Sequence, residues 1–169
     1  MGAAWSQIPD TVRRTHADGD AAGVFEVEHG FLGLARLAGF PPARTQVPVR
    51  LRIRDEARRW ERDFDGRKMH SFQRMVEHRG HWLVAERFAG QPLEVWMRLE
   101  PYTNGLRYVS VAARFWGVPV PAPRVEATVK ADLPGRVRTE VEVRLPLIGL
   151  LVRYRGWLEV AVLQDEEET

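Results

Sequence analysis

The chain has 169 residues, 44% hydrophobic and 28% charged, a balance that suits one globular domain around one core and excludes the disordered class. Formal charge is +2, but the closing QDEEET holds four acids, so the remainder sets 25 bases against 19 acids. Its arginines are spread along nearly every segment and alternate with acids, unlike the concentrated stripe of a nucleic-acid binder.

Cysteine is absent, which excludes disulfides, thiolate metal sites and cysteine nucleophiles. The longest apolar runs fall short of the about 20 residues that cross a bilayer, and the N-terminus lacks a signal-peptide pattern. The expectation is a cytoplasmic protein with no membrane span and no nucleic-acid partner.

In chain order, IPDTVRRTHA predicts a short helix over 8–17, with Pro9 in the first turn and Ile8, Val12 and His16 at helical spacing. HGFLGLARLAGFPP predicts a second over 30–38, with Phe31, Leu34, Ala35 and Ala38 on one face and Gly39, Pro41 and Pro42 as the stop. One strand is expected near GVFEVEHG. From residue 47 the period becomes two: Val47, Val49, Leu51 and Ile53 alternate with arginines, and RVEATVKAD and VRTEVEVRL repeat the pattern. Asp65-Gly66, Arg79-Gly80, Asn104-Gly105 and Pro134-Gly135 supply hairpin turns, so strand follows strand. In LPLIGLLVRYRGWLEV, Pro146 and Gly149 mark a turn before the last strand. That strand puts Val152, Tyr154, Leu158, Val160 and Val162 on the core face and Arg153, Arg155, Trp157 and Glu159 on the outer one.

About nine strands after residue 46, many of them long, curl rather than stay flat. The expected fold is mainly β (α+β): an antiparallel β-meander forming a closed or half-open barrel, with two short N-terminal helices as cover or plug. Residues 1–163 make one domain, and 164–169 are an acidic tail expected to be disordered.

The segments VRRTHA, LARLAGFPP, VPVRLRI, RRWERDFDGRKMHS, LVAERFAG and above all LPLIGLLVRYRGWLEV resemble a bacterial family known as domain of unknown function 4166 (DUF4166). The resemblance spans almost the whole chain. It implies a domain that occurs alone or fused behind NAD(P)-binding proteins similar to saccharopine dehydrogenases or nucleoside-diphosphate-sugar epimerases. With no GxGxxG and no βαβ pattern, this chain resembles the free-standing form. The family brings no catalytic residues to carry over.

The residues that could bear chemistry are polar groups on otherwise internal faces. Trp60, Arg62 and Phe64 share one face; so do Trp82, Val84, Glu86 and Phe88; so do Met69, Ser71, Gln73 and Met75. An inward Arg62 and Glu86 must be paired, either as a structural ion pair or as the anchor of a ligand site. His16, on the apolar side of the first helix, reads as a core histidine bonded to a backbone carbonyl. His78 and His81 flank a turn without a third metal ligand. No GxSxG surrounds Ser71 or Ser110, and HExxH, P-loop and EF-hand patterns are absent.

The expected function is therefore a non-catalytic binding domain with no cofactor and no metal. It would hold a small apolar or amphipathic molecule, such as a fatty acid or isoprenoid-like compound with an acidic or polar head. Arg62 would hold that head and Glu86 would orient Arg62. Trp60, Phe64, Ser71, Trp82, Phe88 and His16 would complete the site. The alternative is an accessory module that docks on a separate NAD(P)-dependent reductase through an outer patch of Trp96 and Trp157.

Overall fold

The computed structural model describes residues 6–30 and 32–160. Phe31, the end of the expected last strand at 161–163 and the acidic tail at 164–169 lie outside the described residues. Helix α1 spans Asp10–Arg14 and α2 spans Leu32–Leu37. The strands are β1 (Gly19–His29), β2 (Arg44–Arg54), β3 (Arg59–Phe64), β4 (Arg67–His78), β5 (His81–Phe88), β6 (Leu93–Tyr102), β7 (Gly105–Phe115), β8 (Val118–Val120), β9 (Arg124–Leu133), β10 (Arg136–Leu145) and β11 (Gly149–Val160).

Every pairing is antiparallel. Each of β1 to β6 pairs with its successor, β7 pairs with β9, β9 with β10, β10 with β11, and β11 returns to β1. The result is a closed ten-stranded barrel, with the short β8 added beside β7. The barrel is therefore closed rather than half-open. The alternation read in the sequence sets its faces: in β2, Val47, Val49, Leu51 and Ile53 are buried and the arginines between them are exposed or half-buried.

Both helices are shorter than their periodicity predicts. α1 stops at Arg14 because two side chains take the carbonyl of Val12: Thr15 Oγ1 donates to it at 2.6 Å, and His16 Nδ1 lies 2.8 Å from it. Such side-chain bonds compete with a further helical turn. Ile8 and Val12 nevertheless enter the core, 5% and 0% exposed, and close one end of the barrel. At that end lie the turns 55–58, 79–80, 103–104 and 134–135. The opposite end holds the α2 linker, the turns 65–66, 89–92, 116–117 and 146–148, and the link 121–123.

The outer face carries a cross-strand charge ladder. Arg155 stands opposite Glu26 on β1, with Nε 2.9 Å from its carboxylate, and Arg153 bonds both Glu142 and Glu28, at 2.5 and 3.2 Å. The two arginines around Tyr154 thus cover the sheet and pair with acids on neighbouring strands.

β1 and β11 approach closely at glycines. A Cβ on Gly156 would lie 2.1 Å from the Val24 carbonyl oxygen and 2.8 Å from the Phe25 backbone and ring. Backbone cannot yield there, so Gly156→Ala should cost about 2–3 kcal/mol in urea unfolding. Gly33→Ala, on the α2 surface with nothing within 4 Å of the new methyl, should be neutral or stabilising by about 0.5–1 kcal/mol. Equal effects from the two would contradict the close approach.

Candidate ligand cavity

β3, β4 and β5 are adjacent strands whose inward positions alternate, so Arg62, Ser71 and Glu86 meet on one stretch of the inner wall. Arg62 Nη2 lies 3.0 Å from Glu86 Oε1, Arg62 Nη1 donates to Ser71 Oγ at 2.7 Å, and Ser71 Oγ donates to the same Glu86 oxygen at 2.6 Å. The guanidinium stacks on Trp60 at 5.2 Å and Phe88 at 5.8 Å. Ser71 is fully buried, whereas Arg62 and Glu86 keep 15% and 12% of their side-chain surface. That surface belongs to a cavity which both residues line.

The cavity measures about 220 Å³, and its lining reaches from His16 after α1 to Ala38 and Gln91 at the α2 end. Its walls are mostly apolar, with Phe25, Phe64, Met69, Val95, Val129 and Leu158 among them. Polar atoms are few: the Arg62–Glu86 pair, Gln73, Gln91, His16 and the tyrosines Tyr108 and Tyr154. Burial works against the charge of Arg62, but the nearby Glu86 carboxylate prevails and holds its pKa above the ordinary value. Burial likewise raises the Tyr108 and Tyr154 phenols, the Glu86 charge adding to it, and both stay protonated. Desolvation lowers His16, against the bond to Val12, so its imidazole is neutral. Arginine and glutamate cancel, and the cavity lining carries no net charge.

Among the described residues neither tyrosine hydroxyl has a protein hydrogen-bond partner, and every bond to Glu86 goes to Oε1. Two phenol groups and one carboxylate oxygen are thus left to serve whatever enters. At the α2 end the segment Ala38–Pro41 lies across the cavity. It is held by Gln91 Nε2 to Ala38 O (3.0 Å), Arg67 Nε to Gly39 O (3.3 Å) and His29 Nε2 to Pro41 O (2.7 Å).

Six of the eight expected interior residues, Arg62, Glu86, Trp60, Phe64, Phe88 and His16, line the cavity, and Ser71 stands directly behind the ion pair. His16 meets its expectation as a histidine bonded to a backbone carbonyl, and its ring stacks on Tyr108 at 5.7 Å. Trp82 does not belong. It is 66% exposed, because β3 pairs with β4 only as far as Phe72 and β5 reaches β6 only from Val84 to Arg87. The β4–β5 hairpin therefore runs past both neighbours, and Trp82 points toward an inner side that has no opposite wall.

Trp96 is on the outer face but is not exposed, at 6%. It packs with Val76, Leu83 and Ala85 beneath the guanidinium of Arg114, 4.6 Å from its ring, and its Nε1 donates to Glu94 at 2.7 Å. Trp157 is half-buried on the outer face, with the Arg136 guanidinium 5.5 Å from its ring. The tyrosine hydroxyls were not singled out in the sequence, although the alternation in GLRYVSV places Leu106 and Tyr108 on one face, and both are buried. Among the described residues no three His, Asp or Glu side chains stand together as metal ligands, and no helix is long and apolar enough to cross a membrane.

A family model described as "Domain of unknown function (DUF4166)" matches residues 9–158. No curated protein and no solved structure matches the chain.

Removing one partner of the interior pair strands the other. Glu86→Gln should cost about 3–5 kcal/mol in urea unfolding, whereas the double change Arg62→Met with Glu86→Leu should cost markedly less, because it leaves no buried charge behind. Additive losses would mean that the two side chains are not coupled.

Proposed function

The chain belongs to the DUF4166 family, and we propose that its barrel holds a small, largely apolar molecule with an uncharged polar head, bound without chemical change. The observation that carries this reading is a mostly apolar cavity lined by a neutralised ion pair and by two phenol hydroxyls without a protein partner among the described residues.

A solid core with an internal salt bridge would need neither the cavity nor the idle hydroxyls. Buried polar groups normally find partners, and leaving them without one is costly. A hydroxyl or carbonyl on the guest supplies the missing bonds: it accepts from Arg62 or a tyrosine, and a hydroxyl also donates to the free oxygen of Glu86. A carboxylate head fits less well, since Arg62 is already neutralised and a second anion would face Glu86 in a region of low dielectric.

Volume limits the tail. At about 30 Å³ for each water-sized group, 220 Å³ takes about seven non-hydrogen atoms. A long-chain fatty acid or a polyisoprenoid would not fit wholly within this volume. Docking on a reductase has less support, since Trp96, one of its two anchors, is covered by Arg114 and its neighbours.

Calorimetric titration tests the reading. 1-Hexanol should bind about tenfold or more tightly than hexanoate, 1-hexadecanol should not bind, and Arg62→Met with Glu86→Leu should abolish the preference for the alcohol. A preference for hexanoate, or no heat with either short probe, would sink it.

A further inference from the structure

We infer that the barrel end carrying the α2 linker rests on an anionic phospholipid surface. This stands apart from the ligand reading, because it requires no occupant in the cavity. Three observations carry it.

The first is the placement of apolar side chains. Leu147, Leu37 and Trp116 are the most exposed large hydrophobic residues described, at 108%, 83% and 77%, and all three lie at this end. Val118, Phe115 and Ile148 accompany them at 63%, 48% and 50%. The backbone bond from Trp116 N to Pro92 O (3.0 Å) ties the β7–β8 turn to the β5–β6 turn. The opposite end exposes fewer and less fully, Trp82, Leu133 and Tyr102 at 66%, 53% and 42%, and the pole where such groups are denser marks the contact surface.

The second is backbone strain. Trp116 and Leu147 both sit at positive φ, +52° and +65°. The turns 65–66 and 104–105 place Asp65 and Asn104 at their positive-φ positions, residues that tolerate this region. Arg79, Glu56 and Ala57 also hold positive φ, at the opposite end, but a tryptophan and a leucine are the large apolar residues so placed; Trp116 stacks only on the exposed Phe115, 6.4 Å away, and both stay in water. Such an outlier points to a use outside the fold.

The third is charge. The segments 32–43, 64–68, 87–94, 113–124 and 144–150, which form this end, hold seven bases against two acids, Asp65 and Glu94. The segments 6–18, 54–59, 77–82, 101–105 and 131–136 at the opposite end hold seven bases against six acids. Arg36 and Lys68 have no ion-pair partner among the described residues, whereas Arg87 faces Glu94 across β5 and β6 and Arg124 and Arg144 pair with Glu126 and Glu142 just beyond these segments. Apolar tips among an excess of bases, Arg36 and Lys68 without an ion-pair partner, match a surface of anionic headgroups over acyl chains. The segment Ala38–Pro41, which covers the cavity, lies at the same end, so a guest leaving there would pass directly into lipid.

Vesicle co-sedimentation of the full chain tests the inference. Vesicles of phosphatidylcholine with phosphatidylglycerol should bind the protein, vesicles of phosphatidylcholine alone should bind it far less, and added salt should release it. Trp116→Ser with Leu147→Ser should weaken binding about tenfold or more. Trp82→Ser, an exposed tryptophan at the other end, should leave it unchanged. All three sites are exposed, and far-ultraviolet circular dichroism checks that the variants fold. Absence of binding to the anionic vesicles, equal binding to both kinds, or equal loss from Trp82→Ser would overturn the proposal. The first of these outcomes would leave the apolar tips to a protein partner.

Discussion

Closing ten strands into one barrel encloses more volume than inward side chains readily fill. Eight strands bring opposite walls about as close as packed side chains require, and each added strand widens the interior. Here Ile8 and Val12 from the N-terminal segment close one end, and Phe25, Phe64 and Tyr154 pack edge to face across the middle. Space remains in the interior. The cavity thus follows from strand number, and the interior chemistry follows from the cavity.

An isolated arginine in such an interior would be untenable. Arg62 is sustained by one acid, one hydroxyl and two aromatic faces, all placed by strand register. Trp60 lies two residues from Arg62 on β3, and Ser71 and Glu86 come from the next two strands. The segment after α1 sets the neutral His16 ring between Trp60 and Tyr108, 5.7 Å from each. The result is a small polar station with zero net charge inside an apolar chamber, a setting that favours a neutral amphiphile over an ion.

Much of this was legible in the sequence because a strand's period of two assigns faces without knowledge of its neighbours. Arg62, Ser71 and Glu86 were identified as inward on that ground alone, and Arg153 and Arg155 as outward. Two further facts depend on pairing and left no local trace. Whether an inward residue meets an opposite wall depends on how far the neighbouring strands reach, and Trp82 lies beyond them. Whether an outward residue is exposed depends on what the adjacent strands place beside it. Trp96, at a register shift between β6 and β7, is covered by Val76, Leu83 and Arg114 from other strands. Helix length failed for a different reason: the periodicity of Ile8, Val12 and His16 continues past Arg14, but Thr15 and His16 spend their side chains on the Val12 carbonyl and end the helix.

The central claim is that the chamber left by ten strands holds a guest rather than standing empty. Native mass spectrometry of the protein purified from cells tests it most directly. The account predicts one bound adduct of low mass, which is neutral after extraction, is displaced by excess 1-hexanol, and is absent from the Arg62→Met, Glu86→Leu double variant. An adduct-free spectrum, with no change on adding 1-hexanol, would contradict the account and reduce the chamber to a packing defect beside a structural ion pair.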